Sequence, residues 1–156
     1  MFKKINKTMY TPQKPHLIWD GNCGFCHYWK IRWQKKLKGE VVFETFQNKA
    51  SFFEDIPLKE FKKSSKLIDT EGRVFNGPDS AYRILYLSGQ SFWHQLYQNS
   101  SWFMFLSDHA YNHIAKNRGF YFKLTKIIWG KNPKKPKPYW LFHITIGIFL
   151  VAYFFI

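Results

Sequence analysis

The sequence predicts an α/β fold built on a β-α-β unit, a β-hairpin and a following helix. Three local patterns carry that reading. Residues 16–19 (HLIW) are a short apolar run ending in the turn Asp20-Gly21, as a buried strand does. After it, Phe25, Trp29, Trp33 and Leu37 recur every four residues and mark one apolar stripe of a helix. Two further short strands, 66–69 and 73–76, flank Thr70-Glu71-Gly72, where glycine supplies the positive φ of a tight turn.

The remaining elements follow in chain order. Asn22 is the expected N-cap of the first helix and Gly39 its expected stop. Residues 41–46 form the second strand, and the helical crossover favours a parallel pair with the first. Residues 48–63 read as irregular and partly helical. Gly77-Pro78-Asp79-Ser80 opens a helix through about Leu87, with proline near its start, where a missing N–H costs nothing. Two aromatic-rich helices are expected around 91–106 and 108–117. Phe120, Tyr121, Leu124, Ile127 and Ile128 then form an apolar helical face, with Lys123 and Lys126 opposite.

Three prolines and four lysines between 131 and 138 break that helix, and residues 139–156 then run without a charge. At helical rise this stretch spans ~27 Å, close to the ~30 Å of a hydrocarbon core. Tyr139 and Trp140 stand where an interfacial aromatic belt would lie. One C-terminal transmembrane helix is therefore expected. The organisation reads as a basic N-terminal segment (1–15), one α/β domain (16–120), an amphipathic basic helix with a Pro/Lys linker (121–138) and the span (139–156).

Composition narrows the function classes. The chain has 156 residues, a formal net charge of +14, 46% hydrophobic and 21% aromatic residues, so it is no disordered basic tail. It suits one domain with its own core. Twenty of the 24 cationic residues are Lys and only Arg32, Arg73, Arg83 and Arg118 are Arg. Base-edge and bidentate phosphate recognition favour Arg, so specific nucleic-acid recognition is not expected. Attraction to anionic lipid is compatible with such a surface. Two cysteines three positions apart rule out a disulfide-stapled scaffold.

Those two cysteines are the chemical signal. Cys23-Gly24-Phe25-Cys26 is a C-x-x-C placed between a strand and a helix. Free N–H groups and the positive end of the helix dipole stabilise a thiolate at Cys23. Cys26, one turn further, is placed to attack a mixed disulfide at Cys23 and is expected to be the less exposed thiol. Other readings stay open on residues alone. With His27 the motif matches C-x-x-C-H haem attachment, His109 and His113 have zinc-ligand spacing, and a purely structural reading makes the two thiols reduced core residues. His27 is also one turn from Cys23 and is a candidate for tuning it.

Asp20-Gly21-Asn22-Cys23-Gly24-Phe25-Cys26 resembles the D-G-x-C-x-x-C signature of the DCC family of thiol-disulfide oxidoreductases. Leu67-Ile68-Asp69 through Gly72 to Gly77-Pro78-Asp79-Ser80-Ala81 is similar to that family's hairpin and helix start. Tyr111 to Arg118 resembles its late Y-x-x-I-A-x-N-R segment. The resemblance spans residues 16–120 and implies a thioredoxin-like core. It further implies Cys23 as nucleophile, Cys26 as resolving thiol and Asp20 as the signature acid, a proton relay or an anchor of the turn. Arg118 would pair with Asp20 or bind helix-end carbonyls. Thioredoxins place a cis-proline before the hairpin strand; here Ser64-Ser65 stands there, and Pro57 lies too far upstream.

The expected protein is thus a membrane-anchored thiol-disulfide oxidoreductase of the disulfide-reductase type, working without a cofactor. Its partners would be a protein or small-molecule disulfide, a dithiol reductant and membrane lipid. No secretory apolar run follows the lysines of residues 1–15, and lysines precede the expected span, so the domain is expected on the cytoplasmic side. The alternatives are a non-catalytic thioredoxin-like membrane adaptor and a metal- or haem-binding carrier.

Overall fold

Four strands and seven α-helices make up the mixed α/β architecture of the computed structural model, which describes residues 1–139, 141, 142 and 144–146. Strand β1 (His16–Trp19) leads through α1 (Gly24–Leu37) to β2 (Val42–Thr45), which pairs with β1 in parallel. Next come α2 (Phe46–Lys49), a 3₁₀ turn (Ala50–Phe52) and α3 (Leu58–Lys63). Strands β3 (Lys66–Ile68) and β4 (Val74–Asn76) form the antiparallel hairpin, and β3 also pairs antiparallel with β1. The sheet order is β2-β1-β3-β4. Helices α4 (Pro78–Leu87), α5 (Phe92–Asn99), α6 (Ser101–Lys116) and α7 (Arg118–Trp129) follow. This arrangement is compatible with a thioredoxin-like core.

Alternation along the strands creates two buried faces, because successive side chains point to opposite sides of a sheet. Ile18 and Ile68 enter one core with Phe46, Phe53, Ile56, Phe61 and Val74. Leu17 and Leu67 enter the other with Leu37, Val41 and Ile84, against which Trp33 and Phe75 pack. The expected hairpin turn is present, and Gly72 takes φ +75° there with a Cβ position only 2.7 Å from the Thr8 carbonyl oxygen. Only glycine fits that approach.

Several boundaries differ from the sequence reading. Cys23, not Asn22, is the N-cap of α1, with extended backbone (φ −101°, ψ 109°). Lys38 in the left-handed region precedes Gly39 at its other end. The aromatic helices divide at Ser100 rather than near 107, since Ser100 Oγ accepts the Phe103 N–H at 3.3 Å and starts α6. The basic N-terminal segment is not a free tail. It lies along β4, where Val74 N–H donates to the Asn6 carbonyl, Thr8 N–H donates to the Gly72 carbonyl, and Phe2 is buried.

Helix α7 docks on α1 through Phe122, whose ring lies 2.9 Å from a Cβ built on Gly24 and 6.4 Å from the Tyr28 ring. Tyr28 Oη donates to the Gly130 carbonyl at 3.0 Å, and Phe120 and Ile127 are left exposed. The apolar face expected on this helix is therefore split between packing and solvent. Among the described residues no helix is long and apolar enough to cross a membrane. Residues 140, 143 and 147–156 of the expected span lie outside the described residues.

Candidate active site

The strand-turn-helix junction between β1 and α1 sets two sulfur atoms side by side. Cys26 Sγ donates to Cys23 Sγ across 2.7 Å, and the Cys26 backbone N–H donates to the same sulfur at 3.2 Å. Both follow from the N-cap position of Cys23, whose side chain satisfies an N–H left unpaired in the first helical turn. The side-chain hydrogen bond from Cys26 is the largest influence pulling the Cys23 pKa down to about 6. Burial opposes it, the backbone N–H and the Arg118 charge assist it, and the Asp20 carboxylate counteracts in part. Cys26 moves in the opposite direction, well above the ordinary thiol range, because it donates to Cys23, is desolvated and faces a neighbouring thiolate. The hydrogen bond thus favours the thiolate at Cys23 and keeps the proton on Cys26.

The relative exposure of the pair reverses the expectation. Cys23 is 8% exposed, whereas Cys26 is only partly buried. The reason is a cavity of about 320 Å³ whose wall includes Cys26, Phe25, Trp29 and Trp33 from α1 and Trp19 from β1. Ala81 and Leu85 of α4, Tyr111 and Ile114 of α6, and Leu17 and Phe61 add to its almost wholly apolar lining. Cys23 faces a second, more open groove bounded by Asn22, Gly119 and Phe122. Asp20, Phe25 and Arg118 border both, so the two clefts meet at the dithiol. The α1 stripe read from sequence is accordingly divided, with Leu37 in the core and the three aromatic residues around the cavity.

Asp20 and Arg118 close the site from the other side. Arg118 Nη1 donates to Asp20 Oδ2 at 2.8 Å, and Nη2 donates to the Lys62 carbonyl at the end of α3 at 3.2 Å. The pairing and the carbonyl contact, set as alternatives by the sequence, occur together. Asp20 Oδ1 accepts the Asn22 N–H at 3.1 Å and Gln47 Nε2 at 2.9 Å. Asp20 therefore anchors the turn that precedes Cys23 and holds Arg118 near both thiols. Burial alone would lower the Arg118 pKa, but the thiols, Tyr111 and Asp20 together raise it, so the guanidinium stays charged.

Behind Cys26, Ser65 occupies the position just before β3. Its N–H donates to Tyr111 Oη at 3.0 Å, and its hydroxyl lies 2.9 Å from Ser80 Oγ and 3.0 Å from Tyr111 Oη. Ser80 donates onward to the Gly77 carbonyl at 2.7 Å. Tyr111 and this serine pair were not singled out as site residues from sequence. A signal existed for Tyr111, because it and Ile114 are three apart and share one face of α6.

The other candidate ligands do not converge on the dithiol. The His27 ring packs on Trp19 with centroids 5.8 Å apart, while His109 Nδ1 lies 2.8 Å from the Phe105 carbonyl oxygen and His113 packs on Tyr121. Among the described residues no group of three or more His, Cys, Asp or Glu side chains could hold a metal ion.

The family model of the DCC1-like thiol-disulfide oxidoreductases matches residues 17–124, which contain Asp20, both cysteines, Tyr111 and Arg118. No curated protein and no solved structure gives a significant match. With more than half of its length matched, the chain belongs to the DCC1-like thiol-disulfide oxidoreductase family.

Proposed function

We propose that the protein reduces disulfides by exchange at Cys23 and Cys26. The observation that carries this reading is the 2.7 Å contact in which Cys26 donates to an N-capping Cys23 sulfur. Cys23 thiolate attacks one sulfur of the substrate disulfide, forms a mixed disulfide and releases the first substrate thiol. Cys26 then attacks Cys23, releases the second thiol and leaves a Cys23–Cys26 disulfide, so two electrons pass from the enzyme to the substrate. A dithiol reductant restores the starting state. Arg118 stabilises the thiolate of whichever cysteine is ionised, and Asp20 positions Arg118 and the turn.

The test is a trapping pair. Cys26→Ser should accumulate mixed disulfides with substrates, whereas Cys23→Ser should accumulate none. Equal trapping by both variants would overturn the assignment of roles, and no trapping by either would favour an adaptor without exchange chemistry.

The uncharged stretch 139–156 is the proposed membrane anchor, supported by its length and by the lysines at 131, 134, 135 and 137 that precede it. Cations beside a span favour the cytoplasmic side, so the dithiol faces a reducing compartment, where it works as a reductant. Protease added to intact cells should leave residues 1–130 uncut and in-cell thiol labelling should find the pair reduced. Digestion from outside would reverse the orientation.

A further inference from the structure

The cavity beside Cys26 is not used by the exchange steps themselves, yet it opens onto the reacting sulfur pair. Its wall brings together Trp19, Phe25, Trp29 and Trp33 with aliphatic Leu85 and Ile114. An apolar cavity of ~150 Å³ holds one benzene molecule, and this one is about 320 Å³. That volume suits a single indole or phenyl group and lies near the lower end of ligand pockets, which run from ~300 to ~1,000 Å³. The cavity and the Cys23 groove share Asp20, Phe25 and Arg118, so one bound chain can pass from groove to cavity across both sulfurs. A substrate whose disulfide sits at Cys23 can therefore place a neighbouring group against Cys26.

We infer that this cavity is a side-chain pocket that receives one aromatic residue adjacent to the substrate's disulfide cysteine. The protein would thus be selective for polypeptide disulfides flanked by Trp or Phe. The inference rests on the exchange reading above for its chemistry, and the pocket adds the substrate class. The disulfide is reduced by the same two-electron transfer, with dithiothreitol as the recycling reductant in the assay. Burial of one large aromatic group in an apolar pocket supports a 10- to 100-fold preference over a small polar residue.

Three substrates decide the matter with the full chain in detergent: a cystine peptide with Trp beside the cysteine, the same peptide with Ser, and bis(2-hydroxyethyl) disulfide. The Trp peptide should show a kcat/KM 10- to 100-fold above the Ser peptide, and Ala81→Phe, which fills the cavity, should bring that ratio close to one. Should Ala81→Phe not fold, Ala81→Leu should lower the ratio by a smaller factor. Equal rates for the two peptides, while the small disulfide turns over, would overturn the pocket and leave the exchange reading standing. A disulfide-free Trp peptide should also slow alkylation of the dithiol. Protection without turnover would keep the pocket and reject the exchange reading, and absence of both protection and turnover would reject the two together.

Discussion

Ile18 and Leu17 are neighbours in β1, but the cores they enter are packed to different ends. On the Ile18 face, Phe53, Phe61, Ile56 and Ile68 are almost wholly buried, and the Phe53 ring packs on Phe61 and Tyr10. On the Leu17 face, Leu17, Leu67 and Ile84 are as deeply buried, but beside them lies the cavity at Cys26, which Leu17, Trp33 and Leu85 line. Even the polar groups differ in use. Lys66, fully buried on the Ile18 side, spends its ammonium on Ser64 Oγ and Asn76 Oδ1, and Asn76 in turn holds the Ile5 backbone. Ser65, one residue before it and facing the other way, joins Tyr111 and Ser80 beside the cavity that Cys26 lines. One sheet thus supplies one face that packs closed and another that borders the cavity at the dithiol. The energetic meaning is direct, since a filled core gains dispersion and burial that a cavity forgoes.

The sharpest way to break this comparison is to truncate one phenylalanine on each side. Phe53→Ala should cost ~3–5 kcal/mol, because it empties a filled, fully buried site. Phe25→Ala should cost about 1 kcal/mol, since that ring is partly exposed and already borders empty space. Denaturant titration of the reduced protein measures both, and similar costs would mean that the two faces are packed alike.

Lys66 gives the next largest effect. Burial is the main cause that brings its pKa down to about 8, with Glu60 opposing and Lys63 assisting. The unfolded chain then binds more protons than the folded one between about pH 8 and the ordinary lysine value, so stability should rise with pH across that window. The rise should be on the order of 2–3 kcal/mol and should vanish in Lys66→Met. A flat profile in the unsubstituted protein would place a solvated ammonium there.

On the open face the corresponding measurement is the alkylation rate of Cys23 against pH, with an expected inflection at about 6. Cys26→Ala should move that inflection upward more than Arg118→Ala does, because the side-chain hydrogen bond outweighs the guanidinium charge. The reverse order would make Arg118 the principal stabiliser of the thiolate. The sign for stability follows. A lowered folded pKa contributes stability that is complete above the ordinary thiol value and is lost as pH falls through about 6. The reduced protein should therefore weaken between pH 9 and 6 more than Cys23→Ser does.

The smallest expected effect is that of removing residues 139–156. None of the described residues at 139–146 is a member of either buried face, so the denaturation midpoint should correspond to a change within ~0.5 kcal/mol, and the Cys23 profile should not move. Loss of folding would mean that this segment packs within the domain.

Much of this molecule could be read from local pattern. Strand β1 and the crossover α1, the parallel return, the hairpin around Gly72 and the helix start at Pro78 all rest on contacts between residues near in sequence or on period-two and four-residue spacing. The dithiol was legible for the same reason, since a C-x-x-C on a helix start needs only one turn of backbone to bring its sulfurs together. What only the tertiary structure decided involves partners far apart in the chain. The N-terminal lysines resemble a solvated tail, yet Lys3 N–H reaches Glu60 and Asn6 and Thr8 pair beside β4, because an edge strand leaves backbone groups to satisfy. Arg118 meets Asp20 across 98 residues, and Tyr111 meets Ser65 across 46. Trp19 of β1 and Phe25, Trp29 and Trp33 of α1 border a cavity, because α4 and α6 lie where they leave space above Cys26. Periodicity states which residues share a face; it carries no information on how closely another element approaches that face, and that distance is what divides a core from a site.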